Sequence, residues 1–121
     1  MKKYFIMLAM LFAMSANSFA ENNNAIVAKN YEIKISTKSL SNYLNLSKDQ
    51  KDMVEMITDE FSRDMMFAGV ECNDTNRLLV TRNAVEKNIK SMSYVLNGEQ
   101  YNKYLRVLNM TLLNRNININ K

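Results

Sequence analysis

No histidine occurs anywhere in this chain, which removes the commonest general base and the commonest metal ligand. Cysteine is represented only by Cys72. A Cys–His nucleophile and a zinc ligand set therefore cannot be assembled. An internal disulfide is equally impossible, so Cys72 is either a free thiol, packed as a small hydrophobe, or a link between two chains. Glycine is limited to Gly69 and Gly98, too few for a phosphate-cradling loop. Glu55, Asp59 and Glu60 place carboxylates one turn apart, a pattern that a solvated helix face explains without catalysis. Proline is absent, so nothing interrupts a helix from within. These absences predict a protein that is not an enzyme and uses no cofactor and no metal.

A long hydrophobic run is also missing. The apolar stretch from Tyr4 to Met14 is eleven residues long, short of the roughly 20 needed to cross a bilayer. It follows Lys2 and Lys3 and precedes small residues at Ser18 and Ala20, which is the order of a secretory signal peptide. The sequence thus predicts export to the periplasm or beyond, cleavage near Ala20, and no integral membrane segment after processing. Loss of Lys2 and Lys3 takes the formal charge from +4 to +2, too little to point to nucleic acid. The charge is uneven, however. Acids outnumber bases six to three from Lys48 to Asp64, and bases outnumber acids eight to two from Arg77 to Lys121. Such asymmetry suits helices that pair acidic face to basic face, or simply solvated faces.

The remaining pattern is helical. "ENNNAIVAKN" is polar and without a period, and with the following residues it reads as an extended or mobile leader over 21–36. Within it "YEIKIS" alternates Tyr31, Ile33 and Ile35 with polar residues. No second strand exists to pair with it, so the expectation is an extended segment laid on helices. Residues 37–115 form one helical domain: a short helix around Leu40, Tyr43 and Leu44, then three longer amphipathic helices in a hairpin-like bundle. The first long helix should carry Met53, Ile57, Phe61, Met65 and Ala68 on one stripe and end at Gly69 as a left-handed C′ residue, with Val70 packed back on Met65. Asp74 is the expected cap of the second, whose stripe is Leu78, Val85, Ile89, Met92 and Leu96. Tyr101, Tyr104, Leu105, Leu108 and Leu112 line the third, which fades into a polar tail at 116–121.

Two of these helices start alike. "LSKDQ" supplies Leu46, Ser47 and Gln50, and "LNGEQ" supplies Leu96, Asn97 and Gln100. In each, leucine anchors the incoming chain, Ser or Asn caps, and glutamine three residues on reaches back to close a capping box. The pair resembles the doubled Leu-Thr-x-x-Gln motif of the Spy/CpxP family of bacterial periplasmic proteins, with Ser in one copy and Asn in the other where the family has Thr. The resemblance covers roughly Leu40 to Arg115 and implies an all-helical exported protein. In the family, a long helical hairpin dimerises into a curved cradle. Some members act as chaperones that need no ATP, and others restrain an envelope-stress sensor.

Methionine is abundant where that resemblance would place a partner. Met53, Met56, Met65 and Met66, with Phe67, crowd the first long helix, and flexible thioethers suit either irregular core filling or an adaptable binding surface. Arg77, Arg82, Lys87 and Lys90 would flank such a patch with positive charge. Val54, Val80, Val107 and Leu113 lie outside the main stripes and so favour a homodimer. The expected role is therefore protein binding, either to unfolded clients or to one specific envelope partner.

Overall fold

The computed structural model describes residues 23–119, which form five helices and, among those residues, no strand. They are α1 (Asn23–Asn30), α2 (Thr37–Leu44), α3 (Lys48–Val70), α4 (Asp74–Val95) and α5 (Gly98–Asn114). The segment read as a signal peptide lies outside the described residues.

Four of the five helices begin at an Asn or Ser whose side chain accepts a backbone N–H three residues on. Ser36, Ser47, Asn73 and Asn97 do this for α2, α3, α4 and α5. Each such contact satisfies one of the orphan donors of a first turn and contributes about 1 kcal/mol. At α4 the cap is Asn73 rather than Asp74. Asp74 instead occupies the first turn, where its charge meets the positive end of the helix dipole.

α3 and α4 form an antiparallel hairpin about 34 Å long, given 23 residues at 1.5 Å each. Its sides are stitched by Lys87 to Glu60 and Asp64, at 2.6 and 3.7 Å. α5 returns along the hairpin, and the buried hydroxyl of Tyr104 donates to Asn88 Oδ1 of α4. Val54, Ile57, Phe61 and Met65 of α3, Ala84, Val85 and Met92 of α4, and Tyr104, Leu108 and Leu112 of α5 meet in a single core. Leu40 and Leu44 of α2 close it at one side.

The structure corrects the sequence reading at both termini. Asn23–Asn30 is helical, not a mobile leader. Its weakly amphipathic pattern gives no signal because tertiary contacts hold it, including Arg115 donating to the Lys29 carbonyl at 3.2 Å. Tyr31–Ser36 runs without helix or strand across the bundle, and Ile33 enters the core. The tail is not a fading end either. Asn116 takes a left-handed φ of 58°, Ile117 N–H bonds the Leu112 carbonyl at 2.9 Å, and Asn116 N–H bonds that of Leu113 at 3.1 Å. Those two bonds define a Schellman ending, and its hydrophobic partner pair is Ile117 with Leu112, both buried. Asparagine thus does at 116 what glycine usually does, and Asn45 does the same after α2 with φ 59°.

Gly69 has the opposite fate. The helix passes through it to Val70, the Glu71 cap is right-handed, and Val70 is exposed rather than folded back on Met65. Gly69 is instead a contact surface. A Cβ there would stand 2.4 Å from Tyr31 Cβ, so only glycine lets that side chain rest on the helix backbone.

Candidate functional site

The two pentapeptides meet in space. In each, the glutamine Oε1 accepts the N–H of its own cap residue, Ser47 at 2.9 Å for Gln50 and Asn97 at 3.0 Å for Gln100. The two side chains also bond each other reciprocally. Gln50 Nε2 donates to Gln100 Oε1 at 2.8 Å, and Gln100 Nε2 donates to Gln50 Oε1 at 3.2 Å. The remaining amide hydrogens reach across to the other copy. Gln50 donates to the Val95 carbonyl at 3.0 Å, and Gln100 to those of Leu44 and Asn45 at 3.2 and 3.4 Å. Val95 stands two residues before Asn97, and Asn45 two before Ser47, so the arrangement has approximate two-fold symmetry.

This explains why both copies end in glutamine. A glutamate would close a capping box as well, but only a primary amide both accepts from its own cap and donates to a foreign carbonyl. Leu44 and Val95 are the last residues of α2 and α4, whose final carbonyls lack intrahelical partners. The pair therefore serves four helix ends at once and fixes α2–α3 against α4–α5. Leu46 and Leu96 pack beside it at the core.

One group of exposed apolar side chains lies away from this clasp, while Tyr94, beside Val95, is exposed next to it. Met66, Phe67 and Val70 lie at the end of α3, and Leu79 lies at the same level of the hairpin on α4, all exposed. Phe67, Val70 and Leu79 each keep more than half of their surface, at 53, 57 and 58 %. Met53 and Met56 are also exposed but form a separate island nearer the clasp. Asp59, Glu60 and Arg63 intervene on the outer side of α3, so no continuous apolar strip runs along it.

Several expected binding residues prove to be structural. Met65 is fully buried, one turn beyond Phe61 on the inner face. Met53 does not belong to that inner stripe, because the stripe passes through Val54, which is wholly inaccessible. Val107 is buried as well, so two of the four residues that favoured a dimer are covered within the chain. Leu113 stays exposed.

Three of the four basic residues are likewise engaged internally. Arg77 Nε donates to the Ala68 carbonyl at 3.0 Å, and its Nη2 to that of Cys72 at 2.6 Å. It caps the end of α3 while pairing with Asp74. Arg82 donates twice to the Ile119 carbonyl, at 3.1 and 3.0 Å. Lys87 bridges Glu60 and Asp64, and the Glu60 contact, opposed by partial desolvation, raises its ammonium above the ordinary lysine value. Lys90 alone of the four is exposed with no ion pair to an acidic side chain among the described residues. Cys72 is a free, half-buried thiol in the turn between α3 and α4.

Arg115 escapes sequence reasoning, and for Tyr31 the alternation shows a segment laid on helices but not its partner Gly69. Arg115 is 6 % exposed, and burial lowers its guanidinium below the ordinary arginine value, with the nearby Glu32 acting the other way. Tyr31 packs on Gly69 and accepts the Thr81 hydroxyl at 3.2 Å. The alternation Ile117–Ile119 and the tyrosine leading "YEIKIS" are the available signals, both inside segments that composition alone marks as polar. Among the described residues no helix is long and apolar enough to cross a membrane, and no three His, Cys, Asp or Glu side chains gather as metal ligands. No family model, no curated protein and no solved structure matches the chain.

Proposed function

We propose that this is an exported, non-catalytic protein-binding protein, built on the plan of the Spy/CpxP family and processed near Ala20. One observation carries the reading: Met66, Phe67, Val70 and Leu79 stay exposed at one end of a hairpin whose other end is locked by a fully satisfied polar clasp. A rigid base that presents flexible and aromatic apolar groups fits the holding of irregular protein surfaces without nucleotide. The paired boxes support the family plan, although α5 here folds back on its own hairpin.

Two forms of binding follow. In the first, the protein holds unfolded clients in general. In the second, it is a regulatory or structural subunit with one envelope partner. The processed chain is incubated with several unrelated unfolded proteins while their aggregation is followed by light scattering. Suppression across all of them supports the first form. Inertness, with capture of a single envelope protein, supports the second. Val54 and Val107 are buried and so lost to a homodimer interface, whereas Leu113 and the hairpin end remain exposed, and a dimer through the hairpin end is one arrangement open to the chain. A light-scattering mass that halves on Phe67→Ser would establish that arrangement, and a monomer mass at micromolar concentration would exclude it.

A further inference from the structure

Charge is divided along the hairpin. From Asp59 to Lys87, the half that contains the turn, six acids stand against four bases, a formal −2. The rest of the described chain carries nine bases and five acids, a formal +4. The exposed side chains of Met66, Phe67, Val70 and Leu79 therefore lie at the negative end of a polarised molecule.

Most of the bases at that end are turned away from a partner. The Arg77 side chain is only 14 % exposed and faces Asp74 and the carbonyls of Ala68 and Cys72. Arg82 donates to the Ile119 carbonyl. Lys87 lies across Glu60 and Asp64, which leaves that trio with one negative charge in excess. Arg63 is the exception, exposed on α3, and Asp59 stands one turn before it on the same face. The carboxylates are placed outward. Glu71 is exposed one turn beyond Phe67, whose carbonyl its N–H bonds at 2.8 Å. Asp74, although paired with Arg77, keeps 98 % of its side chain exposed. Glu86 is exposed two turns beyond Leu79 on the same face of α4. Lys90 lies beyond Glu86, about 16 Å from Leu79 along the helix axis. The apolar end is thus bordered mainly by negative charge, the reverse of the positive border expected from the sequence.

We infer that the partner segment held at the hairpin end is cationic as well as apolar: a stretch of another polypeptide in which Phe, Leu, Ile or Met is interspersed with Lys or Arg. Its apolar groups rest on Met66, Phe67, Val70 and Leu79. Its cations meet Glu71, Glu86 and the surplus charge of Glu60 and Asp64. This rests on the reading that the hairpin end binds protein, and it adds which segments that end takes. Exposed ion pairs are individually weak, so the effect is a several-fold preference that depends on salt. An acidic segment of equal apolar content is repelled from the same surface.

Three labelled peptides share the same phenylalanine and leucine positions and carry lysine, glutamine or glutamate between them. Each is titrated into the processed chain and followed by fluorescence polarisation at low and at high salt. The lysine peptide is expected to bind at least roughly five-fold tighter than the glutamine peptide, and the glutamate peptide more weakly than either. Added salt should narrow these differences, because exposed charges are screened. Glu71→Lys with Glu86→Lys alters two exposed side chains and takes that end from a formal −2 to +2, so it is expected to reverse the order. Phe67→Ser should weaken all three peptides together. Equal affinity for the three, or a lysine preference that survives Glu71→Lys with Glu86→Lys, overturns the inference and leaves the protein-binding reading standing. A chain that doubles in mass and excludes the lysine peptide also overturns it, since a second copy would then cover the end. Failure to bind any peptide and any unfolded client or envelope protein overturns both.

Discussion

Gln100 is 8 % exposed, and all of its amide hydrogens and lone pairs are used within the clasp. Gln100→Glu keeps the bond to the Asn97 N–H but turns the donor toward Leu44 and Asn45 into a second acceptor. Carbonyl and carboxylate oxygens then face each other without a proton between them, which should cost about 2–3 kcal/mol at neutral pH. Protonating the introduced carboxyl restores one donor, so its folded-state pKa lies above its unfolded value. The lost stability should return as pH falls through that raised value, and the return is complete below the unfolded value of about 4.3. Denaturant titrations at neutral and acid pH check both the loss and its sign. Tyr104 tests a second buried polar pair. Its hydroxyl bonds Asn88, whose Nδ2 already lacks a partner among the described residues, so Tyr104→Phe strands the whole amide and should cost about 1–3 kcal/mol. Burial, opposed in part by the Asn88 bond, also raises the Tyr104 phenol well above its ordinary 10.0. Its neutral form favours the folded state. That contribution is intact below pH 10.0, where unfolded tyrosine begins to ionise, and is lost as pH rises through the higher folded value. Alkaline denaturation followed by phenolate absorbance should set in at higher pH, relative to neutral stability, once Tyr104 is phenylalanine.

Among the elements, the helix starts can be read directly because caps are local chemistry. Ser47 with Gln50 and Asn97 with Gln100 are recognisable from spacing alone. That the two boxes bind each other is not, because their partner carbonyls lie 45 to 56 residues away. Helix ends mislead for a related reason. Gly69 reads as a terminator because glycine tolerates left-handed backbone, whereas here its missing side chain is what Tyr31 requires. The real left-handed positions, Asn45 and Asn116, are hidden in an Asn-rich chain. The Met-rich helix divides on a single residue of phase, Val54 facing inward and Met53 outward. Asn116→Ala puts a Cβ into left-handed backbone without asparagine's local hydrogen bonding and should cost about 1–2 kcal/mol. Hydrogen exchange should show the loss first at Ile117, whose N–H the Schellman ending holds.

At the scale of the whole molecule the two ends of the hairpin are built differently, one closed by paired amides and the other apolar and exposed, and a matched pair of substitutions separates them. The clasp end holds four helix termini in one polar cluster, so change there should lower stability throughout. The far end carries Met66, Phe67, Val70 and Leu79 on the outside of helices that are already anchored by Arg77 and by the core residue Met65. Met66→Ser with Phe67→Ser removes exposed apolar surface while leaving the core untouched, and surface changes of this kind usually fall within about 0.5 kcal/mol each. Met65→Ser, one residue earlier in sequence, buries a hydroxyl and opens a cavity, and should cost about 2–5 kcal/mol. If the hairpin end holds partners, the outer pair should weaken partner capture at nearly unchanged melting temperature. The inner change should lower the melting temperature and affect capture only as far as the protein unfolds. Capture that survives the outer pair intact would place the partner surface elsewhere, with the exposed Met56, Tyr94 and Leu113 as the next residues to substitute. The paired substitutions therefore distinguish a protein whose exposed end does the binding from one whose exposed end is incidental.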